Sequence, residues 1–124
     1  MAHILIVDDQ KWVKDLCSEA LSAEKYKITV TADIKTVMKD VSIFKPDLVL
    51  LNLYLKHGFN GWDVLLDIKT QNPRLPVLMI TAHDKCLFDS RLSQANGYVI
   101  NGCFAREDIK QKISSALKPK PASQ

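Results

Sequence analysis

Two adjacent carboxylates, Asp8 and Asp9, close the apolar run Ile4-Leu5-Ile6-Val7, and Asn52 closes a second run, Leu48-Val49-Leu50-Leu51. Thr81 follows a third, Val77-Leu78-Met79-Ile80, and Asn101 follows Gly97-Tyr98-Val99-Ile100. Paired acids at the end of a buried strand commonly gather a divalent cation, and a hard cation such as Mg²⁺ takes oxygen ligands while keeping several waters. A third acid at position 52 would complete such a site. The residue there is a neutral amide, a poor nucleophile, so the type of residue at position 52 governs what the site can do.

These residues must be brought together by the elements that carry them. Strands are predicted at His3–Val7, Lys27–Thr31, Asp47–Leu51, Pro76–Ile80 and Gly97–Ile100. Continuous apolar character in three of them is that of strands covered on both faces of a parallel sheet. Between the strands the apolar spacing turns helical: Val13, Leu16, Cys17, Ala20 and Leu21 stripe a first helix, and Ile34, Val37, Met38 and Val41 a second with Asp33 as N-cap. Val64, Leu65 and Ile68 mark a third helix ended by Asn72-Pro73, and Ile109, Ile113, Ala116 and Leu117 stripe the last. His83–Ala95 is less regular; Phe88, Leu92 and Ala95 give a helix with a thin apolar face, suited to movement or to a partner.

Five βα units with short connections predict an α/β, doubly wound parallel sheet with right-handed crossovers. Ligands of such sheets bind beyond the carboxyl ends of the strands, where the strand order reverses. That rule collects Asp8, Asp9, Asn52, Thr81 and Asn101 into one crevice.

The 124 residues suffice for one domain with a sizeable core, assigned to residues 1–118, with 119–124 a flexible tail or the start of a linker. A 47% hydrophobic and 25% charged composition is that of a soluble globular protein. The net charge of +3 comes from dispersed lysines, which argues against a nucleic-acid face. Cys17, Cys86 and Cys103 form no close pair and no metal-ligand spacing; with no apolar leader or membrane-spanning run, the expectation is a cytoplasmic protein with reduced thiols. His57 and His83 lie in loops with no spacing that fixes a Zn²⁺ site. Cys17 and His3 read as structural, and Trp12 and Trp62 as anchors at helix starts.

In this order and spacing, the Ile4–Asp9 run, Pro46–Leu53, Gly61, Pro76–Ala82 and Gly97-Tyr98-Val99 resemble the receiver domain of two-component response regulators over nearly the full length. The resemblance implies a flavodoxin-like receiver fold with sheet order 2-1-3-4-5. It implies that Asp8 and Asp9 hold Mg²⁺, with the backbone of Tyr54 as a further ligand. Asn52 falls at the phosphoacceptor, Asn101 at the active-site lysine, Thr81 and Tyr98 at the switch pair, and Ala82 at the small residue that leaves room for phosphate. Two of these positions depart from the family. Asn52 cannot form the acyl phosphate, and Asn101 removes the ammonium that would stabilise transferred charge. Losing both members of a charge pair avoids leaving one buried charge alone. The family's Lys-Pro pair becomes Asn101-Gly102, for which a trans peptide is expected.

The resulting expectation is a phosphorylation-independent pseudo-receiver, not an enzyme, that binds Mg²⁺ weakly or not at all. It acts as a protein-interaction module in phosphorelay signalling. Protein partners or self-association are expected on the face of helix 4, strand 5 and helix 5, from Cys86 to Leu117, with a downstream output domain possible and no nucleic acid or membrane contact. Two alternatives stand beside it: a conventional phosphoacceptor receiver carrying an inactivating change at position 52, and a small-ligand or metal sensor using the same crevice.

Overall fold

A computed structural model describes residues 2–8, 15–18, 26–53, 61–81, 89–100 and 105–117. Within them the strands are β1 (His3–Val7), β2 (Lys27–Thr31), β3 (Leu48–Asn52), β4 (Val77–Thr81) and β5 (Gly97–Ile100). The α-helices are α1 (residues 15–18), α2 (Val37–Phe44), α3 (Gly61–Gln71) and α4 (Ala105–Leu117), the last being the fifth helix of the sequence-based count. All strand pairs are parallel and the order is β2-β1-β3-β4-β5, the doubly wound sheet expected from the sequence.

The apolar runs are buried because they are sandwiched. Every residue of β1, β3 and β4 is buried, whereas the edge strands β2 and β5 are mostly half-exposed or exposed. Side chains alternate between faces with the period of two that a strand imposes. Ile4, Ile6, Leu48 and Leu50 meet Cys17 of α1 and Ile109 and Ile113 of α4 on one face. Leu5, Val7, Val49 and Leu51 meet Val37 and Val41 of α2 and Leu65 and Ile68 of α3 on the other. Each fully buried Leu or Ile contributes roughly 1.5–3 kcal/mol, so the three central strands dominate the core.

Two strand boundaries fall one residue later than the sequence suggests. Pro76 has no N–H to give the ladder, and its carbonyl only accepts from Val49, so β4 begins at Val77. Asp47 turns its N–H to the His3 carbonyl and its carboxylate to the His3 N–H, pinning the starts of β1 and β3 together before the β3 ladder opens at Leu48. At the other end, pairing of Asn52 with Ile80 and of Thr81 with Ile100 draws both residues into their strands.

Helix entries and exits follow local chemistry. Asp33 accepts from the Lys35 N–H, but it opens a 3-10 turn (Ile34–Thr36) before α2 and does not cap α2 itself, whose N-cap Thr36 makes no side-chain cap bond. Lys45 ends α2 in the left-handed conformation at φ 47°, its N–H closing back on Val41. Helix α3 stops before Asn72-Pro73, as predicted. Between β4 and β5 the expected α-helix is replaced, in the described part, by a 3-10 helix at Ser90–Gln94. Among the described residues of this segment, Leu92 and Ala95 pack on the core. Phe88 and the rest of 83–88 lie outside the described residues. No helix among the described residues is long and apolar enough to cross a membrane.

Candidate functional site

The strand order reverses between β1 and β3, and that reversal sets the end of β1 beside the end of β3. Asp8, directly after β1, donates its backbone N–H to the Thr31 carbonyl at 3.0 Å and is completely buried. Asn52, the last residue of β3, is 1% exposed. Its Nδ2 donates to Asp8 Oδ1 at 3.2 Å across a sequence separation of 44 residues. Thr81, the last residue of β4, is completely buried one strand further along the same edge. Three of the residues singled out in the sequence, Asp8, Asn52 and Thr81, are thus gathered at the carboxyl edge of neighbouring strands. Asp9, Tyr54, Ala82 and Asn101 lie outside the described residues, as do His57, His83, Cys86, Cys103 and Trp12.

Close packing fixes the backbone of Asn52. The Gly61 N–H donates to the Leu53 carbonyl at 2.6 Å, and Leu53 donates to the Ile80 carbonyl at 2.9 Å. A Cβ on Gly61 would lie 2.7 Å from the Asn52 carbonyl oxygen and 2.9 Å from Leu53 Cα. Only a glycine lets the first turn of α3 press this tightly on the end of β3.

The electrostatics of the crevice are those of a buried carboxylate served by a neutral donor. A hydrogen bond from an amide to a charged carboxylate contributes about 1.5–3 kcal/mol. Burial first, and then the nearby Asp8 carboxylate, push the Cys17 thiol up to about 12. Cys17 is therefore a neutral core residue, in keeping with its place on the apolar stripe of α1. A Mg²⁺ ion needs oxygen donors. The described residues offer it the Asp8 carboxylate with an amide N–H directed onto it, and they hold no cluster of three or more His, Cys, Asp or Glu suited to a metal. In this arrangement the described donors do not fit the ion.

Tyr98 on β5 is half-buried, packed at the margin of the core. Lys112 of α4 sits 4.8 Å above its ring, donates to the Tyr98 carbonyl and pairs with Asp108 at 3.0 Å. Trp62, at the start of α3, is 8% exposed and is capped by the Arg91 guanidinium at 4.8 Å. Arg91 is itself held by both oxygens of Asp89. Lys69 reaches from α3 to the Leu75 carbonyl at 2.8 Å and to Asn96 Oδ1 at 2.6 Å, and Asn96 Oδ1 also accepts from the Val77 N–H. Sequence reading did not single out Lys69, Arg91, Asn96 or Lys112. The partners of the first three are distant in the chain or depend on a local turn, whereas the four-residue spacing of Asp108 and Lys112 on α4 was a local signal that could have found that pair.

The pattern of the response regulator receiver domain family matches residues 4–114. The probable transcriptional regulatory protein TcrX of Mycobacterium tuberculosis is 36% identical over 81 residues, covering 65% of this chain and 34% of TcrX. The nitrogen assimilation regulatory protein NtrX of Azorhizobium caulinodans is 33% identical over 85 residues, covering 67% of this chain and 19% of NtrX. The chain thus corresponds to about a third or less of the length of these relatives. Among solved structures, the response regulator TrrA of Thermotoga maritima, in complex with Mg²⁺-BeF, superposes with a TM-score of 0.85 at 26% identity, covering 94% of this chain and all of TrrA. The receiver domain of NtrX from Brucella abortus gives a TM-score of 0.82 at 28% identity, covering 92% and 97%. TrrA has also been solved in complex with the histidine kinase ThkA, and that copy gives a TM-score of 0.83.

Proposed function

This chain belongs to the response regulator receiver domain family of two-component signalling, and from that premise we propose that it is a pseudo-receiver, which signals through protein contacts without accepting a phosphoryl group. The observation that carries the reading is the Asn52–Asp8 hydrogen bond. At the end of β3 a receiver needs a carboxylate nucleophile; the residue there is an amide whose nitrogen lone pair is delocalised and whose N–H is already committed to Asp8. Asn101, in place of the family's lysine, removes the second partner of the transfer chemistry. The module is not an enzyme and takes Mg²⁺ weakly or not at all, because one charged ligand is missing. It works in the cytoplasm.

The partner surface of this reading is formed by the 3-10 segment Ser90–Gln94, β5 and α4. It carries the Asp89–Arg91 pair and the Lys112–Asp108 pair as polar features around half-buried Tyr98. TrrA, with a similar fold, forms a complex with a histidine kinase, which supports a kinase or an output domain as the type of partner here.

Incubation of the chain with acetyl phosphate and Mg²⁺, followed by intact-mass measurement, tests the reading. No adduct is expected. A phosphoryl adduct mapped to residue 52 or to any neighbour in the crevice removes it.

A further inference from the structure

We propose that the Asn52 amide stands in for the divalent cation at Asp8, so that amide and cation compete for the same carboxylate oxygen. The inference rests on the receiver reading of the crevice and adds how its own residues treat the metal.

Orientation comes first. Asn52 Nδ2 lies 3.2 Å from Asp8 Oδ1 with both side chains essentially removed from solvent. Turned the other way, the amide would set its carbonyl oxygen against a carboxylate oxygen, lone pair against lone pair, at a place where water does not intervene. The N–H is therefore the group that faces Asp8, and it supplies the positive end of a dipole where a receiver's metal would supply full charge. Magnesium demands oxygen ligands at about 2.1 Å in near-octahedral geometry. A hydrogen already directed onto Oδ1 takes up an acceptor position of that oxygen and opposes the ion's approach to it.

The backbone gives Asn52 no means of withdrawing. Its residue is in ladder register with Ile80, and its carbonyl oxygen is packed against Gly61. Metal entry at Oδ1 therefore breaks the side-chain hydrogen bond by rotation about the Asn52 side chain. What the ion gains from the rotated amide is at most a neutral oxygen; what it displaces is a charge-assisted hydrogen bond in a buried setting. Competition outweighs ligation, and Asn52 lowers the affinity of the crevice for Mg²⁺ below that of Asp8 with no side chain at position 52.

Magnesium chloride titrations of the full chain and of Asn52→Ala, followed by ¹⁵N–¹H NMR, decide this. If the amide competes, Asn52→Ala binds Mg²⁺ more tightly than the parent, by about tenfold for a displaced bond of about 1.4 kcal/mol. If the amide is a ligand, Asn52→Ala binds less tightly, and that result, equal affinity, or no saturable binding by the variant overturns the proposal. The side-chain NH₂ resonances of Asn52, assigned in the parent through the Asn52 Cβ and Cγ by triple-resonance NMR, give a readout should the variant fail to fold. They are expected to move with the same midpoint as the Asp8 backbone amide as the hydrogen bond is released, and saturation of the Asp8 amide with these resonances unmoved overturns it equally. Failure here is separable from failure of the functional reading, since a phosphoryl adduct bears on the nucleophile and leaves the direction of the Mg²⁺ affinity change untouched.

Discussion

Replacing Asn52 by Asp converts a donor–acceptor pair into two carboxylates whose nearest atoms occupy positions 3.2 Å apart, in a place where the parent residues are 0% and 1% exposed. At an effective dielectric constant of about 20, two unit charges at that distance repel by about 5 kcal/mol. A further ~1.5–3 kcal/mol of hydrogen bonding to Asp8 is lost. Holding one carboxyl protonated at pH 8 itself costs about 5.6 kcal/mol against an ordinary value near 3.9, so the net loss at pH 8 without metal is about 5 kcal/mol, on the order of 20 °C in Tm for a chain of this size. The pH dependence has a definite sign. Mutual repulsion raises the pair's affinity for a shared proton in the folded state above that of the unfolded chain, so the folded variant binds more protons than the unfolded one. The variant's stability therefore falls as pH rises from 5 to 8, relative to the parent. Two carboxylates also make a better Mg²⁺ site, and an ion at about 100 times its Kd restores about 2.7 kcal/mol. Urea denaturation of parent and Asn52→Asp at pH 5 and pH 8, in EDTA and in MgCl₂, measures all three effects. Equal stability of the two proteins at pH 8 in EDTA, with no difference between the two pH values, would refute the contact between Asn52 and an ionised Asp8.

Gly61→Ala is expected to destabilise by about 1–3 kcal/mol, as overpacking does, because the new Cβ meets backbone atoms at 2.7 and 2.9 Å and neither can swing away; a Tm equal to the parent's would contradict the close approach of α3 to β3. Asn96→Ala should cost more than Lys69→Met, since Asn96 Oδ1 serves both Lys69 and the Val77 N–H. The double variant should fall short of the sum of the single losses, measured by denaturant melts in a double-mutant cycle. Asp89 is held down to about 2, chiefly by the Arg91 side-chain hydrogen bonds and then by the Arg91 N–H, against an ordinary 3.8. Because that shift is a depression, the contribution of this exposed pair is complete above the unfolded value and disappears as pH falls through about 2. A carboxyl-carbon NMR titration should show Asp89 returning toward its ordinary value in Arg91→Ala, and an unchanged midpoint would remove Arg91 as the cause.

Much of this architecture can be read from the chain because its signals are local and repeated. Leu48–Leu51 and Val77–Ile80 are apolar without interruption, and only a strand covered on both faces tolerates that pattern. Val64, Leu65 and Ile68 recur at helical spacing, and α3 forms over them. Of the helix expected over His83–Ala95, the described end settles into a 3-10 turn, because the three-residue spacing of Leu92 and Ala95 suits that turn as well as an α-helix. Strand starts shifted by one residue because Pro76 has no N–H to give the ladder and Asp47 engages His3 with both its N–H and its carboxylate, which no single-strand pattern reveals.

The sequence by itself determined the residue types at the crevice: an amide at 52, acids at 8 and 9, a hydroxyl at 81 and a second amide at 101. It also determined the alternation of apolar strands and helices that places the polar ends of the first, third, fourth and fifth βα units along one edge. What only the tertiary structure decided is how those groups answer one another. A separation of 44 residues between Asp8 and Asn52 collapses to a 3.2 Å contact because β1 and β3 are neighbours at the point where the sheet order reverses. Which end of the amide faces the carboxylate depends on burial, since in water either orientation would be solvated at similar cost. The direction of that one N–H, set by the carboxylate it faces and by the exclusion of solvent, is written in the fold and not in any run of residues.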